Sequence, residues 1–502
     1  MSHADLVLGV DVGTESARAA VFDLGGTEVG SASVPYATTF PHEGWAEQDP
    51  EEVRTATELA IRSAASDCRD RIAGLSVAST AVTVVTVDRE GVVTGPAILW
   101  MDTRAAEEAA DITRTGHPSL ERTGGSVSSE WMLPKALWLK RHEPERYRQA
   151  ALVVEMHDWL LHSLTGRWAL SMPTICAEWS YVPSAGGWAP DLLAAVGMAD
   201  VVEKWPTLML RAGEVMGGLV DSAADATGLP AGVPVSQGMM DSYAAAIACD
   251  PFSPGRLTLS LGSSSSYLML SDRPVSDPGL LGPVEGAFPG RWVVQGGQTS
   301  AASTLRWFME ELAGGLGLPA LDEEASEVPP GSEGVGALET FQGSRTPHRD
   351  PARRGAFWGL GLRHRRAHLY RALLEAVAYG GRQVLELMRS AGLEVTEVVA
   401  CGGGSRSPLW MQIHADVLNT PIEVMARAET TALGAAVCAA VGSGLCESLE
   451  SGAKSFVRRG RIYYPDVRFT SQYEAGYRRY REASMAIGDV TGAGLIGRRR
   501  CN

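Results

Sequence analysis

Two distant stretches of the chain follow one pattern. Near the start, the apolar run Leu6 to Val10 predicts a strand, Asp11 to Ser16 a Gly/Thr/Ser turn, and Ala17 to Phe22 a returning strand. Far downstream, Arg256 to Leu261 predicts a strand, Gly262 to Ser266 a Gly/Ser turn, and Tyr267 to Leu270 its partner. Helices alternate with strands after both hairpins. This is weak internal duplication, not a short solenoid repeat. It predicts two related α/β domains, 1–250 and 251–487, with the boundary in the turn-rich stretch Asp250 to Pro254 and a flexible tail over 488–502.

Other segments fill in the picture. Asp49 caps a helix that Pro50 opens, and Glu51 and Glu52 complement its dipole. Ile72 to Val77 predicts a strand, with Thr83 to Val87 as its partner. Pro134 to His142 and His157 to Leu164 are amphipathic. Val233 to Gln237 is strand-like and leads to Asp241 before an Ala-rich helix. The strand from Val398 runs into Gly402, Gly403 and Gly404, after which Ser407 caps a helix starting near Pro408. Ala432 to Val441, built from alanine and glycine, predicts a helix packed tightly on a sheet.

Composition narrows the classes. Over 502 residues, 45% are hydrophobic and 21% charged, as in an ordinary globular protein. The net charge of −15 argues against nucleic acid and against an anionic membrane surface as partners. Seven widely spaced cysteines without a CxxC pattern suggest reduced thiols and a cytoplasmic setting. The N-terminus has no basic n-region, and no apolar run reaches the roughly 18 residues of a membrane helix.

Several motifs carry candidate chemistry. In the first turn, Gly13 allows a sharp bend, so that amides and the hydroxyls of Thr14 and Ser16 can meet a phosphate; Asp11 can hold Mg²⁺. Alone, such a turn is also an ordinary hairpin. The second turn sets Ser263, Ser264, Ser265 and Ser266 in a row. Two such turns in corresponding places can grip the phosphates of one nucleotide. The three glycines at 402–404 let a flat ring approach the backbone, and the helix N-terminus after them favours an anion. Asp241, close to the domain boundary, can accept a proton from a substrate hydroxyl. No GxxxxGK[ST], HExxH, GxSxG or spaced Cys/His set occurs, and the GxGxxG at Gly492 to Gly497 lacks a strand–helix context.

Taken together and in this order, these elements resemble the FGGY family of carbohydrate kinases. Further segments agree: Gly44-Trp45-Ala46-Glu47-Gln48-Asp49-Pro50, Trp100-Met101-Asp102-Thr103-Arg104, Pro134-Lys135 with Leu137-Trp138, Asp350 to Gly355, and Ala432-Leu433-Gly434-Ala435-Ala436. The resemblance implies two actin-like (ribonuclease H-like) ATPase domains with a cleft between them, and phosphoryl transfer from ATP, with Mg²⁺, to a small sugar or polyol. It implies Asp241 as catalytic base. Thr14, Glu15, Ser16 and Arg18 would contact the terminal phosphates from one side, and Gly262, Ser263 and Ser264 from the other. Gly402, Gly403, Gly404 and Ser407 would line the adenosine pocket, Asp11 would help hold Mg²⁺, and Ser79, Thr80, Asp102 and Glu130 would lie near the sugar. Trp100 to Asp102 and Ser171 to Tyr181 look most like ribulokinase-type pentulose kinases. Ser79 and Thr80 replace the Arg-Glu pair of glycerol kinases. Ala78 replaces an acidic or amide residue of pentulose kinases, which keeps a tetritol or other polyol in play, and Ala302 replaces a common glycine. An actin-like ATPase without sugar kinase activity is the alternative class. The resemblance is compatible with a homodimer.

Overall fold

Leu6–Val12 is buried at every position, as befits a strand covered on both faces. It pairs antiparallel with Ser16–Asp23 and parallel with Ile72–Ser79. The computed structural model describes residues 4–350, 352–426 and 429–491. In it the N-terminal lobe is built on a six-stranded sheet ordered Val215–Gly218, Pro234–Ser236, Ile72–Ser79, Leu6–Val12, Ser16–Asp23, Glu28–Pro35. The last strand alternates half-buried and exposed residues, the pattern of an edge.

The second hairpin, Arg256–Leu261 with Ser265–Ser271, nucleates a seven-stranded sheet. Its order is Leu281–Phe288, Arg291–Gln298, Ser265–Ser271, Arg256–Leu261, Glu397–Cys401, Ile422–Met425, Arg459–Tyr463. Without Leu281–Phe288, the two sheets share one plan. From Glu28–Pro35 or from Arg291–Gln298, two antiparallel steps are followed by two parallel steps and one antiparallel step. The duplication expected from the two turns therefore extends through both sheets.

One expected pairing is wrong. Val84–Val87 does not join Ile72–Ser79. It pairs antiparallel with Leu152–Glu155 in a separate four-stranded sheet with Glu47–Gln48 and Ala97–Ile98. Both sides of Ile72–Ser79 are already taken, by Leu6–Val12 and by Pro234–Ser236. The helices expected at 134–142 and 157–164 are found as Met132–His142 and Met156–Thr165. Asp49 caps Pro50–Ala64 by accepting the Glu51 amide at 3.0 Å. The final helix, Thr470–Thr491, runs past Gly488, where the tail was expected to begin. The Gly492 to Gly497 motif lies outside the described residues.

Small residues bring the lobes together. Thr430–Gly442 packs on Leu6–Val12 and Ile72–Ser79 of the N-terminal lobe, although it comes late in the chain. A Cβ on Gly9 would stand 1.8 Å from the Ala432 carbonyl oxygen, so only glycine permits this approach. The same helix crosses Asp241–Ala248, where a Cβ on Gly434 would stand 1.9 Å from the Ala244 carbonyl oxygen. One apolar cluster then joins Tyr243 and Ala244 to Leu433 and Ala436, and reaches Leu268 and Phe288 of the C-terminal sheet.

Candidate active site

In sheets with parallel strands, ligands collect at the carboxyl ends of those strands. Here three such ends lie side by side. Asp11 is opposite Ala78, Val12 opposite Ser79, and Ser79 bridges to Met240, the residue before Asp241. The structure therefore gathers Asp11, Ser79 and Asp241 from three separate segments.

Both hairpin tips are built alike. In the first, the Gly13 carbonyl accepts from the Tyr36 hydroxyl, and the Thr14 carbonyl from Gln48 Nε2 at 2.7 Å and Thr38 Oγ1 at 3.0 Å. The Glu15 carbonyl accepts the Tyr36 amide at 3.2 Å. In the second, the Gly262 carbonyl accepts the Ala302 amide at 3.1 Å, and the Ser263 carbonyl the amides of Ala301 and Ser303 at 2.8 and 3.2 Å. Carbonyl oxygens are thus tied back by neighbours at both tips. An incoming anion meets amides and hydroxyls, which suits phosphate. Gly262 and Ser263 are exposed, and Thr14, Ser16 and Ser264 are half-buried.

The tips face each other. Arg306, on the helix Ala302–Glu311 that ties back the second tip, lies 3.7 Å from the Glu15 carboxylate on the first. Glu15 stands apart from the other residues of its tip by its charge. Its carboxylate would repel a phosphate and instead faces an arginine of the other lobe; only its backbone remains suited to an anion. Arg18 stands 3.7 Å from Asp11.

Asp11 has been pushed up to about 7, by burial first and then by the negative charge of Asp241; Arg18 works against this, and Glu429 adds to it. Removal from water raises Asp241 to about 6, against the pull of the Ser242 amide, which donates to its Oδ1 at 2.6 Å. Among the described residues no three His, Cys, Asp or Glu side chains form a complete metal cage. Two carboxylates short of positive charge nevertheless fit Mg²⁺, which is usually held by one or two carboxylates, substrate phosphates and water.

The glycine segment lies against the second hairpin. Gly402 has φ +86°, and a Cβ there would meet the Leu261 carbonyl oxygen at 2.6 Å, so this loop is pressed against the second hairpin. Gly403 is exposed, with open space where a Cβ would stand. Ser407 accepts the Trp410 amide at 3.1 Å and so caps Pro408–Leu418.

Near the sugar end the structure departs from expectation at Asp102. It is fully buried, and both oxygens are committed: Oδ2 accepts from the Ala46 amide at 2.6 Å and Arg104 Nη2 at 2.7 Å, Oδ1 from the Arg104 amide and Nε at 2.9 Å each. Asp102 is not open to a ligand; it fixes the loop that carries Trp100. Trp100, a family-like position to which the sequence assigns no site role, donates from Nε1 to Thr14 Oγ1 at 3.2 Å. Ser79 is buried, while Thr80 is half-buried and its hydroxyl lies 3.1 Å from that of Thr83. Glu130 accepts from Ser128 Oγ at 3.3 Å and lies 3.5 Å from Arg345. Arg306, Glu429 and Arg345 were also missed. Each comes from a remote segment and stands in no motif, so nothing in the sequence signals it.

Comparison with known proteins shows the family. Residues 6–248 match the N-terminal domain, and residues 257–443 the C-terminal domain, of the FGGY family of carbohydrate kinases. The chain is 31% identical over 530 residues to a ribulokinase of Halalkalibacterium halodurans, covering 94% of this chain and 93% of that protein. It is 28% identical over 495 residues to a xylulose kinase of Bacillus subtilis, covering 97% and 98%. The crystal structure of a xylulose kinase from Rhodospirillum rubrum superposes with a TM-score of 0.85 at 31% identity, covering 96% of this chain and 99% of that one.

Proposed function

The chain belongs to the FGGY family of carbohydrate kinases, and on that premise we propose that it transfers the terminal phosphoryl group of ATP to a hydroxyl of a pentulose such as ribulose or xylulose. The observation that carries the reading is the pair of matching tips, each with its carbonyls tied back, facing each other beside the Asp11–Asp241 pair.

Phosphoryl transfer asks for positioning and charge neutralisation more than for covalent steps. Amides and hydroxyls of Thr14, Ser16, Ser263 and Ser264 hold the phosphates, joined by Gly262 and Arg18. Mg²⁺, held through Asp11 and the phosphates, would supply further positive charge. Asp241 accepts the hydrogen bond of the acceptor hydroxyl, aligns it and takes its proton as the new bond forms. Gly402, Gly403 and Gly404 border the adenosine, and the Ser407 cap fixes the helix that follows them. Thr80 and Glu130 face the sugar, and Ser79 backs them from the buried strand.

Ala78 favours a second reading. A buried methyl group stands where pentulose kinases tend to carry an acidic or amide side chain, which suits a tetritol or other polyol. ADP release measured with a panel of pentuloses, tetritols and glycerol decides between them. Pentuloses are expected to give the highest kcat/KM; pentulose turnover far below polyol turnover overturns the first choice.

A further inference from the structure

The loop 344–350 of the C-terminal lobe is a rigid projection. Ser344 and Asp350 exchange backbone hydrogen bonds at 2.8 and 2.9 Å, and the Arg349 amide donates to the Arg345 carbonyl at 2.9 Å. The loop is fastened to the sheet strand Arg291–Gln298, because the Thr346 amide donates to the Gly297 carbonyl at 3.0 Å and the Gly297 amide to Thr346 Oγ1 at 3.2 Å. Two arginines leave this projection toward the other lobe. Arg349 donates to the Thr123 carbonyl and, at 2.5 Å, to the Leu280 carbonyl. It fills the space beside Gly124, where a Cβ would stand 2.6 Å from its Nη1. Arg345 lies 3.5 Å from Glu130.

Arg349 is thus an anchor, while Arg345 is different. Its side chain is 41% exposed and that of Glu130 31%, so their ion pair contributes too little to hold two lobes together. A second carboxylate, Glu178, shares this place: its carboxyl is pushed up to about 7, by burial and then by Glu130, and Arg345 opposes the shift together with Arg122 and Lys135. Arg345, a planar cation from the opposite lobe, thus pairs with Glu130 and also bears electrostatically on Glu178. Left alone, Glu130 would turn away from a like charge and toward water. With Arg345 in place it is held between the two lobes.

We propose that Arg345 is a positioning residue for acceptor selection: carried on a rigid loop of the C-terminal lobe, it orients Glu130 of the N-terminal lobe toward the hydroxyls of a neutral polyhydroxy substrate. The proposal rests on the kinase reading above. It makes the sugar end composite, so neither lobe alone specifies the acceptor.

Steady-state rates of the full chain and of Arg345→Ala, Arg345→Lys, Glu130→Ala and the double variant Arg345→Ala/Glu130→Ala test it, with ATP and the alcohol the unmodified protein turns over best. Arg345→Ala is expected to raise the acceptor KM about tenfold or more, the loss typical of a charge-assisted hydrogen bond, with the ATP KM within about twofold. Arg345→Lys is expected to recover part of the loss, since it keeps the charge without the planar fork. The double variant is expected to be no worse than the worse single one. An acceptor KM within about twofold in a folded Arg345→Ala, or in Arg345→Lys should the alanine variant not fold, overturns the assignment, as does simple multiplication of the two single penalties. Absence of alcohol-dependent ADP release from the unmodified protein overturns the kinase reading, and the assignment falls with it.

Discussion

Asp241 has to be a carboxylate to accept a proton, and the structure sets the pH at which it is one. Its pKa is raised to about 6, chiefly by burial, and that of Asp11 to about 7, so both lie near the working range. A base is active when unprotonated. The kcat/KM of the free enzyme is therefore expected to hold above about pH 7 and to fall as pH drops through about 6; a flat profile between about pH 5 and pH 8 would contradict the role. Asp241→Ala is expected to lower kcat at least about a thousandfold, because base and alignment are lost together, while calorimetry still detects nucleotide binding. Near-normal turnover would remove Asp241 from the mechanism. At this scale the sequence is informative wherever a residue acts through its own chemistry and its chain neighbours, as Asp241 and Ser407 do. It misleads at Asp102, which reads as a sugar contact because nothing in the string WMDTR reveals that Arg104 and the Ala46 amide use up both oxygens.

At the scale of the element, two neighbouring glycines make opposite demands. Gly402 combines a left-handed φ of +86° with a carbonyl 2.6 Å from any Cβ. Gly402→Ala is therefore expected to cost about 1–3 kcal/mol, seen as a lower unfolding temperature. Gly403 has open space. Gly403→Ala is expected to leave the unfolding temperature nearly unchanged yet raise the ATP KM about tenfold, since its methyl group would enter the region proposed for the base. An unchanged ATP KM would take Gly403 out of the pocket. The glycine loop and both hairpins could be read from the sequence because turn chemistry is local. The pairing of Val84–Val87 could not: strand choice depends on which edges remain free, and Pro234–Ser236, far along the chain, takes the edge that proximity would assign to it.

For the whole molecule, the crossing of Asp241–Ala248 and Thr430–Gly442 connects the lobes. Gly434 admits no side chain there, its Cβ position being 1.9 Å from the Ala244 carbonyl oxygen. Because one apolar cluster spans both lobes, Gly434→Val is expected to cost about 3 kcal/mol or more and to lower unfolding of both lobes in one calorimetric transition. An unfolding temperature like that of the unmodified protein would show that the crossing is looser than the backbone approach implies.

By itself the amino-acid order determined the local features: the paired Gly- and Ser-rich bends, the capped helices, the duplicated plan and the kinase family they spell out. These follow from turn chemistry and from periodicity within a few residues. The fold alone decided which remote charges meet, as in Arg306 with Glu15, Arg345 with Glu130, and Asp11 with Asp241. Such pairings depend on distance through space and on removal from water, and neither quantity is written along the chain.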